Sequence, residues 1–491
     1  MATPEITRWT RLGYATGTLS FTTKDVAFGS FVLFYYVSVV GLSGTLAGAV
    51  LFIALAWDAV TDPIIGSLSD NLRSRWGRRH PLMAVSGMPL AICLFLLFSV
   101  PDGLSQAGIF FWMLAVCIAL RTFITLFTVP YLALGAELSN DYLERSKIAG
   151  ARTLFGWLTG ILLTAGAWFF VFDSGDGVDG RLVTANYHLW GGISFLVVTV
   201  FTTISIVVTR DRIPFLPQPT TSNHFSFRQL GADLLLAFTN SNFKYLFFVM
   251  LTLGVATGLN GALATHVNTY FWEFTTAQLA LLTLLVLIPI AFMMLAMNWL
   301  NEHIEKQTIL NVCILGLVAN TCWLIPGRLL DWLPVNGTTA IFIIVTIQVA
   351  ISSALVIWFQ TVSASVIADI TDEQEYLTHQ RQEGVFFAAQ GFSIKFVTGF
   401  GSLIGGIVVD LIRLPVGAAP GSVDASVIFN LGLVMGPFIA LSLLIPYFFS
   451  RRITLSRARH HEIRSILDAR GRTPDGPPQQ TPDAPPAPAL T

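Results

Sequence analysis

The sequence predicts an all-α membrane protein of about twelve transmembrane helices in two six-helix halves. Three observations lead there. Apolar runs long enough to cross a bilayer, roughly 20 residues each, recur along nearly the whole chain. Charged residues make up only 12% of it, about half the share of a soluble domain. The basic residues fall on alternate loops, as in a helical bundle threaded back and forth through a membrane.

In order, the expected spans are 14–39, 44–69, 81–100, 107–137, 147–172, 187–209, 243–271, 276–298, 307–327, 338–368, 382–412 and 426–449. Of the 28 Lys and Arg, only Arg181, Arg328 and Arg413 fall in loops after odd-numbered helices. Lys24, Arg121, Arg152 and Lys395 fall within helices. The positive-inside rule then places both termini in the cytoplasm, so the expected location is a plasma membrane, in a bacterium the inner membrane. Residues 1–13 are polar and the first apolar run belongs to a full helix, so no cleavable leader is expected.

The stretch 210–242 carries Arg210, Asp211, Arg212, Pro214, Pro217 and Pro219 and reads as a cytoplasmic linker. It separates an N-terminal bundle, 1–209, from a C-terminal bundle, 243–450. Within it, 225–238 would lie along the membrane surface as an amphipathic helix. The tail, 451–491, is expected to hold a basic surface helix over 455–470 and a Pro-rich, disordered end over 474–488. A net charge of −1 argues against a nucleic-acid partner. Cys93, Cys117, Cys313 and Cys322 lie in spans, fit neither a metal site nor a disulfide framework, and read as packing residues.

The chemistry concentrates in the second span. In Trp57-Asp58-Ala59-Val60-Thr61-Asp62-Pro63, two aspartates stand four residues apart and share one helix face. A carboxylate facing lipid is costly, so the pair should face the protein interior or a water-filled cavity. Two close acids there are a natural place to hold Na⁺ or H⁺. The plainer reading is a structural pair neutralised by Lys24 or Lys395. A basic loop follows, with Asp70, Arg73, Arg75, Gly77, Arg78 and Arg79.

Two six-helix halves around a central linker are the layout of the major facilitator fold. Gly66-x-Leu68-x-Asp70…Arg73-x-x-x-Gly77-Arg78-Arg79 resembles the loop between helices 2 and 3 in that superfamily, where Asp and Arg latch helix ends in one transport state. Further segments resemble the glycoside–pentoside–hexuronide:cation symporter family. They are Thr23-Lys24-Asp25-x-Ala27-x-Gly29, the Trp57–Pro63 segment, Val129-Pro130-Tyr131-x-Ala133-Leu134, and Glu144-Arg145…Arg152. In the second half, Asp369-x-x-Asp372-x-x-Glu375 and Gln390…Lys395 also match, so the resemblance covers nearly all of 10–450.

The resemblance implies roles. Asp58 and Asp62 would be cation ligands, with Thr125 supplying a hydroxyl of the same site. Asp25 and Arg152 would hydrogen-bond sugar hydroxyls. Lys395 would be the charge partner of the cation site. Gln390 would face the cavity or hydrogen-bond between helices. The coupling ion would be Na⁺ or H⁺, with no cofactor, and the working unit a monomer in the bilayer. Three positions depart from the family's best-known member. Thr128 stands where that protein has a second sugar-binding acid, Leu132 replaces an aromatic, and Arg121 has no counterpart. The animal lysophospholipid transporters of the wider group also lack that acid.

An arginine in a low-dielectric setting needs a partner. Glu137 or another protein acid would supply it; failing that, an anionic solute would. The leading expectation is therefore a cation-coupled symporter of a sugar, glycoside or uronide, working by alternating access. The alternatives are a carrier of an amphipathic or anionic solute such as a lysolipid, and a transporter-like sensor. An enzyme is not expected: only His266 among the eight histidines falls clearly inside a span, and no partner motif accompanies it.

Overall fold

The computed structural model describes residues 6–139, 141–173, 178–216, 231, 235–379 and 383–471. Eleven of its helices are long and apolar enough to cross a membrane. They are α2 (Gly44–Asn71), α3 (His80–Leu97), α4 (Gln106–Glu137), α5 (Leu143–Val171), α6 (Thr184–Phe215), α7 (Ser241–Phe271), α8 (Thr276–Met297), α9 (Lys306–Leu329), α10 (Thr339–Thr378), α11 (Gly384–Ile412) and α12 (Ala425–Ser450). The first span, α1 (8–39), is a chain of shorter helical pieces with π turns at Ala27–Phe31 and Tyr35–Val39. A basic helix, α13 (Arg457–Gly471), follows the last span. The helix expected over 225–238 lies largely outside the described residues, and the Pro-rich end lies wholly outside them.

The span boundaries follow hydropathy closely, except that α10 continues past 368 to Thr378. Its extra turns carry the acids of Asp369-x-x-Asp372, and basic groups neutralise them. Lys306 Nζ lies 2.5 Å from Asp369, while His460 and Arg464 of α13 reach Asp372 at 3.1 and 3.4 Å. Several helices start on a side-chain cap. The hydroxyls of Ser105 and Thr338 and the carbonyl oxygen of Asn240 accept from backbone N–H groups in the first turns of α4, α10 and α7.

Helix α2 has no cap of its own. Asp410, near the end of α11, supplies it from the other half of the chain. Its carboxylate accepts from Ser43 Oγ (2.6 Å), Gly44 N (2.7 Å) and Thr45 N (2.8 Å). A carboxylate at a helix N-terminus satisfies orphan N–H groups and complements the helix dipole. Glycine permits the approach: a Cβ on Gly48 would stand 2.7 Å from the carbonyl oxygen of Ser402.

Other bonds between the halves join Thr265 Oγ1 to the carbonyl of Ser30 (2.6 Å), Gly417 N to the carbonyl of Ser38 (2.8 Å), and Arg181 Nη1 to Thr269 Oγ1 (2.8 Å). Ser38, Arg181, Thr269, Asp410 and Gly417 belong to the face opposite the one that carries the chain ends, here called the far face.

On the chain-end face, the basic loop folds onto its own half. Gly77, at φ +72°, turns the chain left-handed so that Arg78 and Arg79 point inward. Arg79 Nη1 lies 2.7 Å from Asp70, and its Nη2 lies 2.6 Å from Glu137. Arg78 Nη2 reaches the same Glu137 oxygen at 2.7 Å. Burial works against the Arg79 charge, but Glu137 and Asp70 outweigh it and hold its pKa above the ordinary guanidinium value. Arg73 is exposed, and Gly66 faces Val129 of α4.

Two stability predictions follow from these contacts. Asp410→Ala removes the carboxylate cap on α2 and should cost about 1–2 kcal/mol, read as a lower unfolding temperature of the purified protein. Glu137→Gln leaves a buried guanidinium facing a neutral amide and should cost about 3 kcal/mol, seen in the same measurement. An unfolding temperature equal to wild type in either variant would refute the corresponding contact.

Candidate functional site

Helices α2 and α4 cross the structure in the same direction, so residues four apart on one meet residues four apart on the other. Arg121 Nη1 donates to Asp58 Oδ2 at 2.9 Å, and one turn on Thr125 Oγ1 donates to Asp62 Oδ1 at 2.9 Å. Beside them, Trp57 Nε1 donates to Thr122 Oγ1 at 2.9 Å. The second oxygen of Asp62 pairs with Lys395 Nζ of α11, and this contact crosses from one half of the chain to the other.

The two acids differ in setting. Asp58 is 5% exposed and Arg121 4%. The Asp62 and Lys395 side chains are each about one-third exposed. The Arg121 guanidinium also lies 4.7 Å from the centre of the Phe28 ring of α1, within the range of a cation–π contact. Asp58 Oδ1 is buried and accepts no hydrogen bond among the described residues.

A cavity of about 680 Å³ lies alongside, between α1, α4 and α5, and reaches Thr283 of α8. Asp25, Thr128 and Arg152 line it, with Phe21 and Trp157 as its aromatic walls. Asp25 is exposed to it and pairs with Lys24 at 2.6 Å. Arg152 is half-buried, and among the described residues no acid pairs with it. The Thr128 hydroxyl is buried without a hydrogen-bond partner among the described residues. The cavity and the carboxylate pair share two helices: Thr128 is one turn from Thr125 on α4, and Asp25 one turn from Phe28 on α1.

The structure thus brings Asp58, Asp62, Thr125, Arg121 and Lys395 into one cluster, and Asp25, Thr128 and Arg152 into the adjoining cavity. Two residues stand apart from that cavity. Gln390, half-buried on α11, is not part of its lining, and neither is Arg121, whose partner is Asp58. Glu137 is engaged by Arg78 and Arg79 instead.

A signal for the Arg121 contact was present in the sequence. Arg121 and Thr125 repeat the four-residue spacing of Asp58 and Asp62, which suits two helices running in the same direction. Trp157, Phe21 and Phe28 carried no signal, because aromatic residues abound along the chain and usually pack.

A family model described as MFS/sugar transport protein matches residues 13–457. An uncharacterized symporter of Synechocystis sp. is 25% identical, with 94% of this chain and 96% of that one covered. The glucuronide carrier protein homolog of Escherichia coli is 24% identical, with 82% of this chain and 83% of its own covered. The nucleoside transporter NupG has the same fold, at a TM-score of 0.61 and 15% identity, with 91% of this chain and all of that one covered. The family match runs from α1 to the start of α13, and the chain belongs to the sugar-transport family of the major facilitator superfamily, of the glycoside–pentoside–hexuronide:cation symporter kind.

Proposed function

We propose that the protein is a cation-coupled symporter that carries a sugar of the glycoside class by alternating access. The observation that carries this reading is the pairing of Asp62 in one half with Lys395 in the other, one helical turn along α4 from the cavity. An ion arriving at the carboxylate pair competes with Lys395 for Asp62. Winning that competition releases the polar bridge between α2 and α11, which is the motion that two rocking halves require. Ion binding and bundle movement thus share one free energy, as coupling demands.

The cavity suits a polyhydroxylated solute. Asp25 accepts hydrogen bonds and Arg152 donates through a planar fork. Thr128 also lines the cavity, and its hydroxyl has no hydrogen-bond partner among the described residues. Phe21 and Trp157 present apolar faces to the ring carbons of a sugar. Because Arg121 is neutralised by Asp58, it no longer argues for an anionic solute. A uronide remains within the class, since Arg152 has no acid partner among the described residues. With the basic loops cytoplasmic, the bonds at the far face hold the outer side shut, and the cavity faces inward.

Reconstituted protein should accumulate labelled glycosides or uronides under an imposed cation gradient; uptake that only equilibrates would refute coupling. Asp62→Asn should reduce accumulation by about tenfold or more, because the ion loses its carboxylate while the cavity is untouched. Solute exchange across the same vesicles should persist in that variant. Asp25→Asn and Arg152→Gln should each weaken solute binding by about 2 kcal/mol, roughly thirtyfold in Kd, as expected for a hydrogen bond to a charged group. Wild-type affinity in both would remove them from the binding site.

A further inference from the structure

The geometry points to Arg121 as the residue that selects the coupling cation: its guanidinium sits on Asp58 as a tethered cation and bars Na⁺ from the carboxylate pair. This rests on the reading of Asp58 and Asp62 as the coupling site. Charge is the first argument. The cluster holds two carboxylates, Asp58 and Asp62, and two cations, Arg121 and Lys395. Lys24, on α1, has its own partner in Asp25 at 2.6 Å. Thr125 is neutral. The set is already neutral, so an arriving cation, sodium or proton, has to displace one of the resident cations or leave an extra positive charge in a largely buried site.

Ligands are the second argument. A hard cation gathers several oxygens around itself. Here Asp58 Oδ2 is held by Arg121, Asp62 Oδ1 by Thr125 and Asp62 Oδ2 by Lys395. What remains is a single carboxylate oxygen, Asp58 Oδ1. Lys395 is on the other half of the chain and about one-third exposed, so it can swing away. Arg121 cannot. It is 4% exposed, braced on Phe28, permanently charged and without an acceptor atom to offer an ion. With Lys395 displaced, only Asp62 presents an unneutralised carboxylate, and the two-acid cage is still missing. A proton needs no cage of oxygens, so of the two ions considered the proton is left as the coupling ion.

Thermal unfolding of the purified full chain, titrated with NaCl against choline chloride, tests this. The wild type should show no sodium-specific shift. Arg121→Ala leaves Asp58 unneutralised and should gain a rise in unfolding temperature that saturates with Na⁺. Asp58→Asn combined with Arg121→Met removes both members of the pair, keeps the local charge balanced and should be flat again. In vesicles, a pH gradient, acid outside, should drive wild-type glycoside accumulation, and a Na⁺ gradient alone should not. A sodium-specific shift or sodium-driven accumulation in the wild type would overturn the inference. So would a folded Arg121→Ala that ignores Na⁺. Where Arg121→Ala does not fold, the wild-type titration decides alone. Accumulation under neither gradient would refute the symport reading, and the sodium titration would still decide the role of Arg121.

Discussion

A carboxylate inside an apolar bundle must be neutralised, and much of this structure is arranged to meet that requirement. Desolvating an isolated charge costs far more than a folded protein has to spare, and four acids with little or partial exposure are found with cations. Asp58 has Arg121, Asp62 has Lys395, Glu137 has Arg78 and Arg79, and Asp179 has Arg181. What distinguishes them is where the partner comes from. Arg121, Arg79 and Arg181 belong to the same half as their acids, so those pairs travel with a rigid bundle. Lys395 belongs to the opposite half, so its pair must break or re-form when the halves move.

The far face solves the reverse problem, holding two halves together without making the join permanent. Helices α2 and α11 approach through glycine, which brings backbone against backbone. Small-residue contacts of this kind gain from close packing without long side chains to disentangle. The polar part of the join is Asp410, which supplies α2 with the cap that its own sequence lacks. A helix capped from the other half is complete only while that face is closed. The same face therefore carries both a packing term and an electrostatic term, and both are lost together on separation.

Much of this was legible in the sequence, because hydropathy and charge alternation report directly on the bilayer. The spans and the acid pair on one face of α2 follow from periodicities of that kind. The proximity of Asp25, Thr128 and Arg152 followed from the family resemblance. The rest depended on relations between helices, which periodicity along one chain does not encode. Hydropathy alone gives no sign that α1 is cut by π turns, since its apolar run is continuous. It ends α10 at its last apolar turn, although charge pairing with Lys306 and α13 keeps the acidic continuation helical. Asp410 looked like one more loop-adjacent acid until the packing of α11 placed it on α2.

Arg121 shows how such a relation changes a functional argument. Read alone, a guanidinium in a transport protein's span suggests an anionic cargo, because the charge needs an answer. The answer lies 63 residues earlier in the chain, on a helix that runs the same way with the same four-residue repeat. Once Asp58 supplies it, the same arginine no longer argues for an anionic cargo, and on the proposed reading it bears on the ion. On that reading, solute selection then falls to Arg152, a cationic group on the cavity wall with no acid partner among the described residues. A buried charge is thus informative about function only after its partner is known, since the unpaired member of a set is the one left to meet a ligand.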